Sequence, residues 1–202
     1  MAYGDFTLSD LASKFGIRNQ RRRLFDAITP VEPSEKLKAE LLEVEEMPIR
    51  SEKAKSEWIV VPILKELRQR NDKFFTIYSG ENLNSDEARG LKGECDFILA
   101  RDTGSFDISF PILQIVEAKK NDLEVGVPQC AAQLLGARVF NEKKGLHLDI
   151  IYGCVTTGND WLFMKLENEL VIDSKVYYLV QINELLGIFQ DIIGYYRREL
   201  AD

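Results

Sequence analysis

The chain has 202 residues, 45% of them hydrophobic, which suits one folded domain with a full core and leaves room for a small appendage. No run of 18 to 20 apolar residues and no charged-then-apolar leader is visible, so the sequence predicts a cytoplasmic protein with no membrane partner. A formal charge of −7 and a pI of about 5.0 argue against a non-specific nucleic-acid coat, but leave room for a local basic groove.

In chain order, Thr7-Leu8-Ser9-Asp10 reads as a capping box that opens a first helix. The following Leu-Ala-Ser-Lys-Phe-Gly-Ile stretch has some character of a helix-turn-helix, and Arg18, Arg21, Arg22 and Arg23 stand close enough together to meet phosphates. The plainer reading is a packed helix with a solvated basic end. Pro30 and Pro33 punctuate the chain before a helix from Ser34 to about Glu46, which reads as a surface helix or an arm that contacts a second subunit, so residues 1–50 read as a helical appendage. A stronger helix is expected over 52–70, with Trp58, Val61, Ile63, Leu64 and Leu67 as its apolar face and a kink or restart at Pro62.

Residues 74–78 read as the first strand, and the stretches 93–100 and 111–119 as the central pair. Alternation of Phe106, Ile108 and Phe110 predicts that the second of these starts early or twists out of the sheet. Pro128 suits the first position of a helix over 128–140, and 147–155 is a further buried strand joined by a right-handed crossover. Short antiparallel strands at 161–166, 170–172 and 176–180 lead into a final amphipathic helix, 183–200. Cys95, Cys130 and Cys154 read as core thiols, not as a disulfide framework or a zinc site.

Charges inside the apolar runs carry the functional signal. Glu117 and Lys119 share one strand face, and Asp96 sits within the neighbouring run; buried charges need a partner, an ion or solvent. An exposed strand-end ion pair would explain Glu117 and Lys119, but would leave Asp96 as a third unexplained charge. The arrangement of Asp96, Glu117-Ala118-Lys119 and a helical glutamine resembles the PD-(D/E)xK nuclease superfamily over roughly residues 52–157, although Cys95 stands where that pattern has proline.

This resemblance implies an α/β fold with a central mixed β-sheet flanked by helices. Residues 51–202 would then form a restriction-endonuclease-like domain with extra C-terminal antiparallel strands and a helix. It implies Mg²⁺ or Mn²⁺ held by Asp96, Glu117, the Ala118 carbonyl and an acid from the first core helix. Glu57 is the expected helix acid, with Glu52 and Glu66 as rivals and a solvated first-turn glutamate as the plainer account. Lys119 would orient the attacking water and counter transition-state charge. Gln129, or Gln133 one turn on, would reach the site or nearby DNA; both also suit an exposed helix face.

The implied activity is metal-dependent phosphodiester hydrolysis, with DNA as the substrate the resemblance implies. The alternative is a non-cleaving nucleic-acid-binding or regulatory module on the same fold. Cutting both strands of a duplex is compatible with a homodimer. A basic groove beside Asp96 would favour DNA cleavage and an acidic one would count against it. His147 is the only histidine, which excludes multi-histidine schemes.

Overall fold

Eight segments pair into one mixed sheet: β1 (Asn19–Arg22), β2 (Phe75–Asn82), β3 (Glu94–Arg101), β4 (Ile112–Ala118), β5 (Ile151–Thr156), β6 (Asp160–Leu166), β7 (Leu170–Asp173) and β8 (Tyr177–Tyr178). The computed structural model describes residues 1–201. Spatial order is β1-β7-β6-β5-β4-β3-β2, with β8 pairing beside β6. Strands β2, β3 and β4 form an antiparallel meander, β5 runs parallel to β4, and β1 runs parallel to β7. The fold is thus α/β with a mixed sheet flanked by helices.

Among the described residues, six α-helices accompany the sheet: α1 (Leu8–Phe15), α2 (Glu35–Glu45), α3 (Glu52–Lys55), α4 (Val61–Arg70), α5 (Leu123–Lys143) and α6 (Ile182–Glu199). Thr7 and Asp10 form the expected capping box on α1, and Gly16, at φ 72°, ends it in the left-handed conformation. The chain then enters β1, so no second helix follows to complete a helix-turn-helix. Residues 1–50 also give Tyr3, Phe6, Leu11, Phe25 and Leu37 to the same core as the sheet.

Between α3 and α4 lies a π-helical turn, Ser56–Val60. Its wider winding rotates the helix surface, burying Ile59 and Val60 while leaving Trp58 48% exposed. The expected apolar face therefore loses its tryptophan. Val61 N–H bonds back to Ser56 O, and Pro62 falls in the first turn of α4, where its missing amide is tolerated.

Helix α5 begins earlier than the proline suggested. Asp122 caps it by accepting from Glu124 N–H, and Pro128 lies inside the helix instead of at its first position. The Glu124 carbonyl that loses its partner there belongs to an exposed residue, where water can replace the bond. The 106–110 segment stays out of the sheet, and both Phe106 and Phe110 are exposed.

The sheet is covered on both faces. Gly153 lies against Cys130 and Leu134 of α5, while Phe189 of α6 meets Trp161 and Phe163 edge-on from the opposite side. Tyr196 of α6 donates to backbone carbonyls near β4 and β5, tying that helix to the sheet. All three cysteines are buried free thiols. No described helix is long and apolar enough to cross a membrane.

Candidate active site

Phe97 pairs with Val116 and Ile98 with Ile115, and one further step in this antiparallel register sets Asp96 opposite Glu117. Directly opposed residues point to the same face, so both carboxyl groups lie together on the side covered by α5. Glu117 is 1% exposed and Asp96 is half-buried. The Ala118 N–H donates to Asp96 Oδ2 at 2.7 Å, fixing one carboxylate oxygen against the next strand. Lys119 Nζ donates to Glu117 Oε1 at 2.6 Å and to Gln129 Oε1 at 3.1 Å. Gln133 Nε2 donates to Glu117 Oε2 at 2.8 Å and to Glu94 O at 3.3 Å.

Both expected glutamines therefore reach the site, each on a different partner. One turn of α5 separates them, which lets Gln129 hold the cation and Gln133 the carboxylate. The close approach depends on Gly126: a Cβ there would lie 2.5 Å from Val155 Cγ1 and 2.9 Å from Lys119 Cγ. This glycine escaped the sequence reading, although its place just before Pro128 in an otherwise apolar helical run was a usable signal.

Electrostatics at the pair are unbalanced. Burial raises the pKa of Asp96, and Glu52 adds to the rise; the Ala118 N–H and Lys119 oppose it. Burial also lifts Glu117 to about 7, reinforced by the Asp96 charge and only partly offset by Lys119 and Gln133. Burial alone would lower the Lys119 pKa, but Glu117, Asp96 and Glu52 outweigh it and hold the ammonium protonated. Lys119 is therefore a cation held by Glu117 and Gln129. The Gln133 Oε1 is buried without a partner.

The three helix acids separate clearly. Glu52 is half-buried and its field reaches both Asp96 and Lys119. Glu57 is exposed, paired with Lys53 at 3.7 Å, and lines the outer part of the same groove. Glu66 lies elsewhere, bound to Ser34 and Arg70. The π-helical turn begins after α3 and ahead of Glu57, so sequence spacing alone did not favour Glu52.

A groove of about 340 Å³ opens beside Asp96 and is lined also by Glu52, Glu57, Glu94 and Lys53. Its lining is acidic, the outcome that counts against unaided binding of a polyanion. A larger cleft of about 700 Å³ between α2 and residues 178–182 has mostly apolar walls and lacks the paired carboxylates. Chemistry, not volume, singles out the smaller groove. Comparison with protein-family models, curated proteins and solved structures gives no match.

Among the described residues, no group of three or more His, Cys, Asp or Glu side chains forms a ready metal cage. The donor set of Asp96, Glu117 and a backbone carbonyl nevertheless suits Mg²⁺, which commonly uses one or two carboxylates and completes its shell with water and phosphate. Two facing carboxyl groups whose ionisation is resisted, with one ammonium bound to Glu117, supply the electrostatic reason for such an ion.

Proposed function

We propose that this chain is a metal-dependent nuclease that hydrolyses phosphodiester bonds in DNA, with Mg²⁺ or Mn²⁺ as its cofactor. The observation that carries the reading is the juxtaposition of Asp96 and Glu117 across β3 and β4, with Lys119 bound to Glu117. The element order adds support: helix, three antiparallel strands, helix α5 and parallel β5 is the order expected of a PD-(D/E)xK core.

Asp96 and Glu117 would hold the ion, with the Ala118 carbonyl as a further ligand and Glu52 acting from the groove wall. When bound, the ion supplies charge neutralisation on the phosphate and lowers the pKa of water. Glu117 and Gln129 fix the Lys119 ammonium, which is thereby placed to orient a water and offset growing phosphoryl charge. Gln133 positions Glu117 by holding its second oxygen. Burial on the α5 face limits competing water around Glu117, while Asp96 meets the groove.

The acidic groove favours the second reading, a non-cleaving regulatory or binding module on this fold. Incubation of plasmid and single-stranded DNA with Mg²⁺ or Mn²⁺ separates the two. The nuclease reading expects metal-dependent cutting that falls at least ~1,000-fold in Asp96→Ala and Lys119→Ala, the scale of losing a transition-state electrostatic contact. Absence of cutting, together with no Mg²⁺ or Mn²⁺ binding that depends on Asp96 in titration calorimetry, would sink it.

A further inference from the structure

Glu52 acts from the groove wall in the nuclease reading above, and what holds it there rests on that reading. Helix α3 has only four residues before the π-helical winding begins. One turn gains little from its own hydrogen bonds, so its orientation depends on contacts to the rest of the fold. Three such contacts close a ring around the end of β4.

The Lys119 N–H donates to Thr156 O at 2.8 Å, which carries the β4–β5 pairing one residue past Ala118. Beyond that point the chain leaves the sheet, and the Lys120 carbonyl has no neighbouring strand to accept from. Lys55 Nζ, coming from α3, donates to this carbonyl at 2.5 Å. The ring closes through the turn between β5 and β6. A Cβ on Gly158 would lie 3.4 Å from Lys55 Cβ and 3.2 Å from Ile59 Cδ1, so the Lys55 stem packs directly on that turn. The Gly158 N–H is in turn held by Thr156 Oγ1, on the residue whose carbonyl holds Lys119.

Lys55 has no competing use. No carboxylate lies within 4.0 Å of its ammonium among the described residues. Lys53, two positions earlier, is instead paired with Glu57 at 3.7 Å. Glu52 and Lys55 belong to the same turn yet wall different hollows: Glu52 lines the groove beside Asp96, and Lys55 lines the larger cleft. One turn of helix thus carries an acid towards the carboxylate pair and a fastening towards the strand end.

We propose that Lys55 is a positioning residue for the metal site: by fastening α3 to the Lys120 carbonyl, it sets where Glu52 stands relative to Asp96 and Glu117. Its charge acts in the opposite sense. An ammonium close to a cation site repels the ion, so losing that charge alone would tighten metal binding. Losing the placement of Glu52 weakens it. The sign of the change in metal affinity therefore separates positioning from plain electrostatics.

The test uses the full chain and Mn²⁺ as the probe, with affinity read by titration calorimetry and cleavage of DNA followed separately. Lys55→Met keeps the stem and removes the donor, while Lys55→Arg keeps charge and donor together. Lys55→Met is expected to weaken Mn²⁺ binding about 10-fold, the lower end of what loss of an outer-sphere partner costs, and Lys55→Arg to restore most of it. Glu52→Gln should cost a similar factor, and the double variant Lys55→Met/Glu52→Gln little more than either alone, since both remove one contribution. Glu57→Gln should show no such coupling to Lys55→Met. Circular dichroism checks that each variant is folded at the titration temperature, and Lys55→Gln replaces the methionine variant if that one is not.

Unchanged or tighter Mn²⁺ binding in Lys55→Met, or losses that add in full with Glu52→Gln, overturns the positioning role and leaves the nuclease reading standing. A wild type that binds Mn²⁺ and shows the coupling but cuts no DNA supports the role of Lys55 and overturns only the nuclease. A wild type that neither binds Mn²⁺ nor cuts overturns both.

Discussion

Glu66 and Glu117 are both nearly buried, at 9% and 1% exposure, yet their acidities move in opposite directions. Burial alone would raise Glu66, but Ser34 N–H and Oγ and the Arg70 guanidinium outweigh it and hold the carboxyl below its ordinary value. Glu117 also has a cation and an amide donor, but its burial, reinforced by Asp96 across the strand pair, outweighs them and its pKa rises. Glu117 is also the more deeply buried of the two. Desolvation first, and the Asp96 charge second, separate a carboxylate completed by its own fold from one that favours a proton or a further cation.

The largest expected effect tests that difference through pH. Glu117 has a higher proton affinity in the folded chain than in the unfolded one, so the folded state binds more protons between about pH 4.5 and about 7. Stability in EDTA should therefore fall as pH rises through this window and level off above it, by on the order of 3 kcal/mol. Saturating Mg²⁺ should remove most of the fall by stabilising the ionised pair. Urea midpoints from pH 5 to 8, with and without the ion, measure both; a flat EDTA profile would contradict the assignment.

A pair of isosteric changes should then move stability in opposite senses. Glu66→Gln is expected to cost about 2 kcal/mol at pH 7, since it weakens charged hydrogen bonds to Ser34 and Arg70. The contribution of Glu66 is present above its unfolded pKa of 4.5 and is lost as pH falls through its lower folded value. Glu117→Gln should instead leave stability equal or higher at pH 7. Its amide can also donate to the unpartnered Gln133 Oε1. Chemical denaturation decides the signs, and equal losses would remove the distinction.

The smallest effect concerns the helix acids. Glu52→Gln should lower cleavage about 10-fold, near 1.4 kcal/mol in the barrier, while Glu57→Gln should change it less than about 2-fold. Single-turnover rates at saturating Mg²⁺ would show this, and the reverse ranking would restore Glu57 as the acting acid.

Legibility in the sequence followed the range of the interaction involved. Asp96, Glu117 and Lys119 stood out because strand alternation and unexplained charge are both local signals. The capping box on α1 was equally local. The π-helical turn was hidden because winding depends on how the helix docks, and it changed which acid faces inward. Pro128 misled because the Asp122 cap and the buried Val127 extend α5 in front of it. Strand β1 carried no apolar alternation at all, since its pairing with β7 supplies the backbone partners that its own side chains do not advertise.

That last pairing joins Asn19 to Leu170 across most of the chain. During vectorial synthesis the N-terminal arm leaves the ribosome first, but its place in the sheet exists only after the β6–β7 hairpin has emerged. The earliest-made strand is thus among the last that can be fixed, a topology with a high contact order. Until it docks, β7 presents an open edge and the arm lacks a backbone partner.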